Sequence, residues 1–247
     1  MKPRFVGRLG PADAITLANA GAGFLAVVIA FSDAELAARL VLLAAVADGL
    51  DGVVARAFGG SPAGEYLDSL ADVASFGVAP ATVVYVVVRD GWSLSVTDPT
   101  FRTILALVGC ALFVTMAVTR LGLYTAFDTS DEYTEGVPST LAATILMAAV
   151  LAGISEPVIL VVGVWAFVYL MVSTIRYPDL LARDALLMGV VHVLAVLFPY
   201  AIDRTFPYAL LTLGVAYLTL GPWLYWRGEW LLLRLFRSGD DGGKENA

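Results

Sequence analysis

The sequence predicts an all-α fold, a polytopic membrane bundle of about eight transmembrane helices, on three observations. Of its 247 residues, 59% are hydrophobic and only 15% are charged, where a soluble domain carries roughly 25% charge. Apolar runs recur that are long enough to cross ~30 Å of hydrocarbon as helices. With eight spans and both termini inside, only Arg39, Arg89, Arg102 and Arg204 fall on the outer side, and the other eleven of the fifteen Lys and Arg fall on the inner one. That asymmetry is the positive-inside rule. One integral membrane domain over 1–237 is expected, followed by a disordered polar tail at 238–247. The first apolar run lacks a small-residue cleavage site after it and is read as a retained span.

The elements follow in order. A basic opening with Lys2, Arg4 and Arg8 precedes span 1, Ala14–Phe31, which carries Thr16 and a polar Asn19. A polar residue inside a span faces protein rather than lipid, so Asn19 either bonds a neighbouring helix or lines a site. Gly21 and Gly23 allow close helix approach. Span 2 is Leu36–Phe58, and Gly59-Gly60-Ser61-Pro62 is a turn with proline placed to start a helix. Span 3 is Ala63–Val88, and Arg89–Thr100 is an outer loop. Span 4, Phe101–Tyr124, precedes an acidic inner loop, Asp128–Pro138. Spans 5 and 6, Ser139–Ala152 and Val158–Thr174, are joined by the short turn Gly153–Pro157. Arg176 and Arg183 bracket an inner loop before span 7, Leu186–Ile202, and span 8, Tyr208–Trp226. From Arg227 on, aromatic and leucine residues alternate with Arg234 and Arg237, which suits an interfacial helix. Cys110 reads as a small buried hydrophobe and His192 as a packed, hydrogen-bonded residue. A net charge of −7 offers no nucleic-acid surface. With thirteen arginines and two lysines, it suits a salt-rich cytoplasm and a halophilic microbial source.

The chemistry concentrates between Asp48 and Pro80. Asp48 and Asp51 are three apart on span 2, while Gly64, Asp68 and Asp72 are four apart on span 3. Both spacings put side chains on one helical face. If Ala57–Ala63 turns, the stripes face each other at the inner end of the bundle, and four converging carboxylates require a cation among them. The pattern Asp-x2-Asp-Gly-x2-Ala-Arg, seven residues, Gly-x3-Asp-x3-Asp resembles the signature of the CDP-alcohol phosphotransferase family of membrane enzymes. All eight fixed positions are present: Asp48, Asp51, Gly52, Ala55, Arg56, Gly64, Asp68 and Asp72. The gap after Arg56 is shorter than the family's usual eight or nine residues. The run Asp68–Pro80, Glu135-Gly-Val-Pro-Ser139 and Met171–Pro178 resemble segments of the membrane-embedded phosphatidylserine and archaetidylserine synthases. Arg120-Leu121 resembles the start of another such segment, which Leu123 and Thr125 then leave.

The resemblance implies a CDP-lipid:serine transferase with a two-ion Mg2+ or Mn2+ site on Asp48, Asp51, Asp68 and Asp72. Asp48, Gly52, Ala55, Arg56, Gly64 and Asp68 would bind the CDP-lipid, CDP-diacylglycerol or CDP-archaeol, the small residues allowing nucleotide close to backbone. Asp72 would be the base that takes the proton of the L-serine hydroxyl. Arg120 or Arg176, or both, would hold the serine carboxylate in a two-pronged grip, unless they are only inner-surface anchors. The resemblance also implies a homodimer among membrane lipids, in a prokaryotic cell membrane with the active site at its cytoplasmic face. Two alternatives stand beside this reading. One is a family relative with a glycerol-phosphate or inositol-phosphate acceptor, which the acidic loop disfavours. The other is a cation- or proton-coupled carrier, which would place its carboxylates near the bilayer midplane.

Overall fold

Residues 9–127, 133–178 and 182–240 are described by a computed structural model, and they are almost entirely helical. Helix α1 (Pro11–Ala30) opens on proline, and Asp13 reaches back to accept a 2.6 Å hydrogen bond from the Gly10 amide. Its buried residues are Ala12, Asp13, Thr16, Asn19, Gly23, Ala26 and Ala30, while Leu17, Phe24, Leu25 and Val28 are exposed. The polar side chains thus point inward and the large apolar ones outward, the reverse of a water-soluble helix. Helix α2 (Ala34–Phe58) is capped by Asp33, which accepts from the Leu36 amide, and it stops at Gly59.

Helix α3 (Gly64–Asp72), a π-helical turn (Val73–Val78) and α4 (Ala79–Trp92) form one continuous rod. Helices α5 (Phe101–Phe127), α6 (Ser139–Leu151), α7 (Pro157–Leu170), α8 (Ala182–Leu197) and α9 (Thr205–Asp240) complete the helical set. Spans 1 to 6 recur as helices within about four residues, while span 7 is helical only to Leu197 and span 8 lies within a helix that runs on to Asp240. Three stretches, Pro11–Ala30, Gly64–Trp92 and Phe101–Ala126, are long and apolar enough to cross a membrane on those grounds alone. Helix α2 has the length, at 25 residues, but carries charges. Helix α6 has only 13 residues, nearly all buried between α2, α9 and the π-helical turn. A helix sheathed by protein need not match the hydrocarbon thickness.

Two further departures matter for function. The all-α expectation missed a small antiparallel sheet, in which β1 (Tyr133–Glu135) pairs with β2 (Arg176–Pro178). Span 6 accordingly ends at Leu170 rather than Thr174, because residues 171–175 unwind to reach that sheet. The Gly136 amide donates to Ile175 O at 2.8 Å and the Val137 amide to Leu170 O at 3.0 Å. The two stretches singled out by resemblance, Glu135–Ser139 and Met171–Pro178, are therefore zipped side by side. At the tail, α9 continues through Asp240, while 241–247, the opening basic residues and Asp128 lie outside the described residues. His192 sits on α8 against α2, its Nε2 buried without a hydrogen-bond partner in the protein, and Cys110 packs on the core as expected.

The opposite end of the bundle from the aspartates is tied by Arg204, which donates to Glu35 Oε1 at 3.0 Å and to Leu151 O at 2.7 Å. Tyr200 adds a 2.8 Å bond to Glu35 Oε2. Replacing Arg204 with leucine leaves that carboxylate and carbonyl with fewer donors, and is expected to cost about 1–3 kcal/mol. Thermal unfolding in detergent reads the loss.

Candidate active site

The turn 59–63 brings the ends of α2 and α3 together as the spacing predicted. Asp48, Asp68 and Asp72 each place a carboxylate oxygen within 4.8 Å of the others. At that separation each ionised pair repels by about 3 kcal/mol at an effective dielectric near 20. The burial of Asp72, 7% exposed, deepens the cost. Asp68 Oδ1 is buried without a hydrogen-bond partner in the protein. Three oxygen donors with an unsatisfied acceptor fit a hard divalent ion such as Mg2+ or Mn2+.

Asp51, the fourth aspartate of the predicted set, is buried beside Asp68 and lies outside that 4.8 Å group. Its Oδ2 accepts a 2.6 Å bond from Thr16 Oγ1 on α1. It lines a cleft of about 230 Å³ beside the cluster, walled by Gly52, Ala55, Gly64 and Asp68 together with Ala12, Asp13 and Thr16 of α1. Four of the six positions assigned to CDP-lipid therefore share one wall. Asp48 belongs to the neighbouring carboxylate cluster, and Arg56 is exposed one turn along from Gly52, its Nη1 3.6 Å from where a Gly52 Cβ would stand.

The α1 wall was only partly foreseen. Asp13, Thr16 and Asn19 recur at intervals of three in an otherwise apolar helix, and that spacing was the available signal for Asp13. A side chain on Gly64 would stand 3.3 Å from Asp13 Oδ1, so Asp13 fills space that the glycine leaves. Removing the hydroxyl that holds Asp51, by Thr16→Val, is expected to raise the KM for CDP-lipid by about three- to tenfold. Equal KM in the two proteins would separate Thr16 from CDP-lipid binding.

The two arginines meet on strand β1. Arg120, 9% exposed on α5, donates from Nη2 to Thr134 Oγ1 at 3.1 Å and lies 5.8 Å over the Tyr124 ring. Arg176 pairs with Glu135 at 3.3 Å and lies 4.6 Å over the Tyr133 ring. Thr125 explains its own departure from the expected residue, because its Oγ1 is 2.7 Å from Ser69 Oγ. That bond ties α3, next to Asp68, to the helix that carries Arg120.

Membrane helices enclosing a carboxylate cluster that opens on a small-residue cleft define the class, an integral membrane enzyme with an acidic centre. The chain belongs to the CDP-alcohol phosphatidyltransferase family, whose pattern matches residues 10–176. It is 33% identical over 170 residues to an archaetidylserine synthase of Methanothermobacter thermautotrophicus, covering 67% of this chain and 68% of that one. It is 30% identical over 168 residues to a CDP-diacylglycerol–serine O-phosphatidyltransferase of Methanocaldococcus jannaschii, covering 67% and 72%. A Helicobacter pylori protein of that same description is 35% identical over 164 residues, and there the match spans 61% of the relative's length.

Proposed function

We propose that the protein transfers the phosphatidyl or archaetidyl group of a CDP-activated lipid to the hydroxyl of L-serine and releases CMP. The phosphorus–oxygen bond to CMP breaks, a new one forms to the serine oxygen, and the serine hydroxyl proton leaves to a base. The observation that carries this reading is the Asp48, Asp68 and Asp72 cluster set against the cleft lined by Gly52, Ala55 and Gly64. Both named activities of the similar proteins are of this kind.

Asp48, Asp68 and Asp72 would hold the ion, with Asp51 available as a ligand for a second. When bound, Mg2+ or Mn2+ supplies positive charge for the pyrophosphate and the departing CMP. The cleft receives the CDP moiety, where Asp13 and Asp51 accept from its donors and Arg56 meets phosphate at the rim. Asp72 takes the serine proton. The motif ends of α2 and α3 face the cytoplasm, as do both termini, in the cell membrane of a prokaryote whose acidic, lysine-poor protein suits high salt. A homodimer is the working assembly. Purified protein should release CMP only when CDP-lipid, serine and Mg2+ or Mn2+ are all present. CMP release with glycerol 3-phosphate or inositol phosphate in place of serine, and none with serine, would overturn the acceptor.

The acceptor is a zwitterion, and the Arg176–Glu135 pair, half-exposed on both sides, offers a cation to its carboxylate and an anion to its ammonium. Arg120 is the second arginine placed to grip the carboxylate. Lysine at either position keeps the charge but loses the planar two-donor fork. The lysine variant of the gripping arginine should weaken serine binding by about 1–3 kcal/mol, a roughly five- to 150-fold higher serine KM, with the CDP-lipid KM moving much less. Saturation kinetics on Arg120→Lys and Arg176→Lys check this, and unchanged serine KM in both would return the arginines to inner-surface anchors.

A further inference from the structure

We propose that Asn19 and Ser75 are positioning residues for Asp72, forming a lock between α1 and the π-helical turn; the role rests on the reading of Asp72 as proton acceptor. The turn Val73–Val78 begins directly after Asp72. π-Helical turns inside α-helices concentrate at functional sites, because the widened turn displaces one side chain from the regular stripe. Within this turn Ser75 is fully buried, and its Oγ donates to Asn19 O at 2.9 Å. The helices touch backbone to backbone at this level. A Cβ on Gly23 would stand 2.8 Å from Ser75 Oγ and 2.9 Å from both Ala74 C and Ser75 Cα, so only glycine permits the approach.

The lock fixes residue 19 opposite Asp72. Asn19 is fully buried and donates from Nδ2 to Asp72 Oδ1 at 3.5 Å. That is long for a hydrogen bond, as catalytic contacts often are before substrate tightens them. That contact restrains one carboxylate oxygen of a group that also belongs to the cluster with Asp48 and Asp68. Asn19 Oδ1 is itself buried with no partner in the protein. An asparagine kept only to glue two helices would have its acceptor satisfied, and an unmet buried acceptor costs about 1–3 kcal/mol. Asn19 therefore costs stability where it stands, and what it secures is the orientation of Asp72.

Rate and stability separate the two roles. The test uses the full chain purified in detergent, with Asn19→Leu, which keeps the branching and the heavy-atom count, Ser75→Ala, which removes only the hydroxyl, and the double variant. Parent activity with serine is established first. If serine gives no CMP release, the serine reading falls, and the series runs on whichever acceptor, or water, does release CMP, with the same pattern expected. Asn19→Leu should lower kcat by about 10- to 100-fold, the usual range for a supporting residue, and Ser75→Ala by about threefold or more. KM for both substrates should stay within about threefold and the melting temperature within a few degrees. The double variant should be no slower than Asn19→Leu alone, because without the amide Ser75 has nothing left to aim. Parental kcat in Asn19→Leu overturns the proposal. So does a multiplicative double variant, or a kcat loss matched by falling stability and CDP-lipid affinity, which would leave these residues as packing alone.

Discussion

Asparagine at Asp48, Asp68 or Asp72 is expected to remove about two to four orders of magnitude of CMP release, the span covered by loss of a positioned acid–base group or charge stabiliser. The substitution is isosteric, so the bundle should persist. It also removes one source of the repulsion among three oxygens within 4.8 Å, so each variant should be at least as thermally stable as the parent in metal-free buffer. That combination, more stable and nearly inactive, separates a functional cluster from a structural one. Asp48→Asn and Asp68→Asn should recover part of their activity at raised Mg2+ or Mn2+, since a weakened site still fills by mass action. Asp72→Asn should recover less, because added ion cannot replace a proton acceptor, and it should lower kcat more than CDP-lipid affinity. Asp51→Asn should be the mildest of the four, since Asp51 stands outside the 4.8 Å group and already has one oxygen held by Thr16. Near-parental turnover in all of Asp48→Asn, Asp68→Asn and Asp72→Asn at ordinary metal concentration would sink the assignment.

The parts of this site legible in the sequence are those that obey a single helix period. Asp68 and Asp72 four apart, and Asp48 and Asp51 three apart, had to share faces once Gly59–Pro62 was read as a turn. Apolar runs bounded by charge likewise located each helix. What escaped depended on departures from that period. The π-helical turn has no composition of its own, since Val73–Val78 would be an ordinary piece of helix by propensity. The sheet is three residues per strand and joins segments about forty residues apart, so no local alternation announces it. The rotation of Asp51 towards Thr16 is set by a partner on another helix. The same is true of the Ser69–Thr125 bond, which is visible only once α3 and α5 are side by side. Spacing reveals which residues can share a face, and tertiary contact decides which of them turn to one another.

Gly136→Ala is expected to cost about 2–5 kcal/mol and to damage acceptor handling selectively. The residue sits at φ +77, where a side chain costs roughly 1–2 kcal/mol. Its Cβ would stand 2.3 Å from Met171 O and 3.0 Å from Met171 C, a main-chain overlap that no rotamer relieves and that adds about 1–3 kcal/mol. The strain has one direct outlet, separation of β1 from the segment that follows α7. Leu170 O and Ile175 O accept the two bonds adjoining Gly136, and β2 beyond them is anchored by Tyr177, fully buried with its hydroxyl donating to Leu218 O. With β2 held by α9, β1 is the strand that must move, carrying Thr134 away from Arg120 and Glu135 away from Arg176. The CDP cleft, built from α1, α2 and α3, touches neither strand. The melting temperature should therefore fall by about 4 °C or more, serine KM should rise at least as far as in the more affected arginine-to-lysine variant, and CDP-lipid affinity should stay near the parent's. Thermal scans at one fixed rate and serine saturation kinetics on the surviving protein read both effects. A destabilised variant with parental serine KM would show that the sheet supports the fold without serving the acceptor.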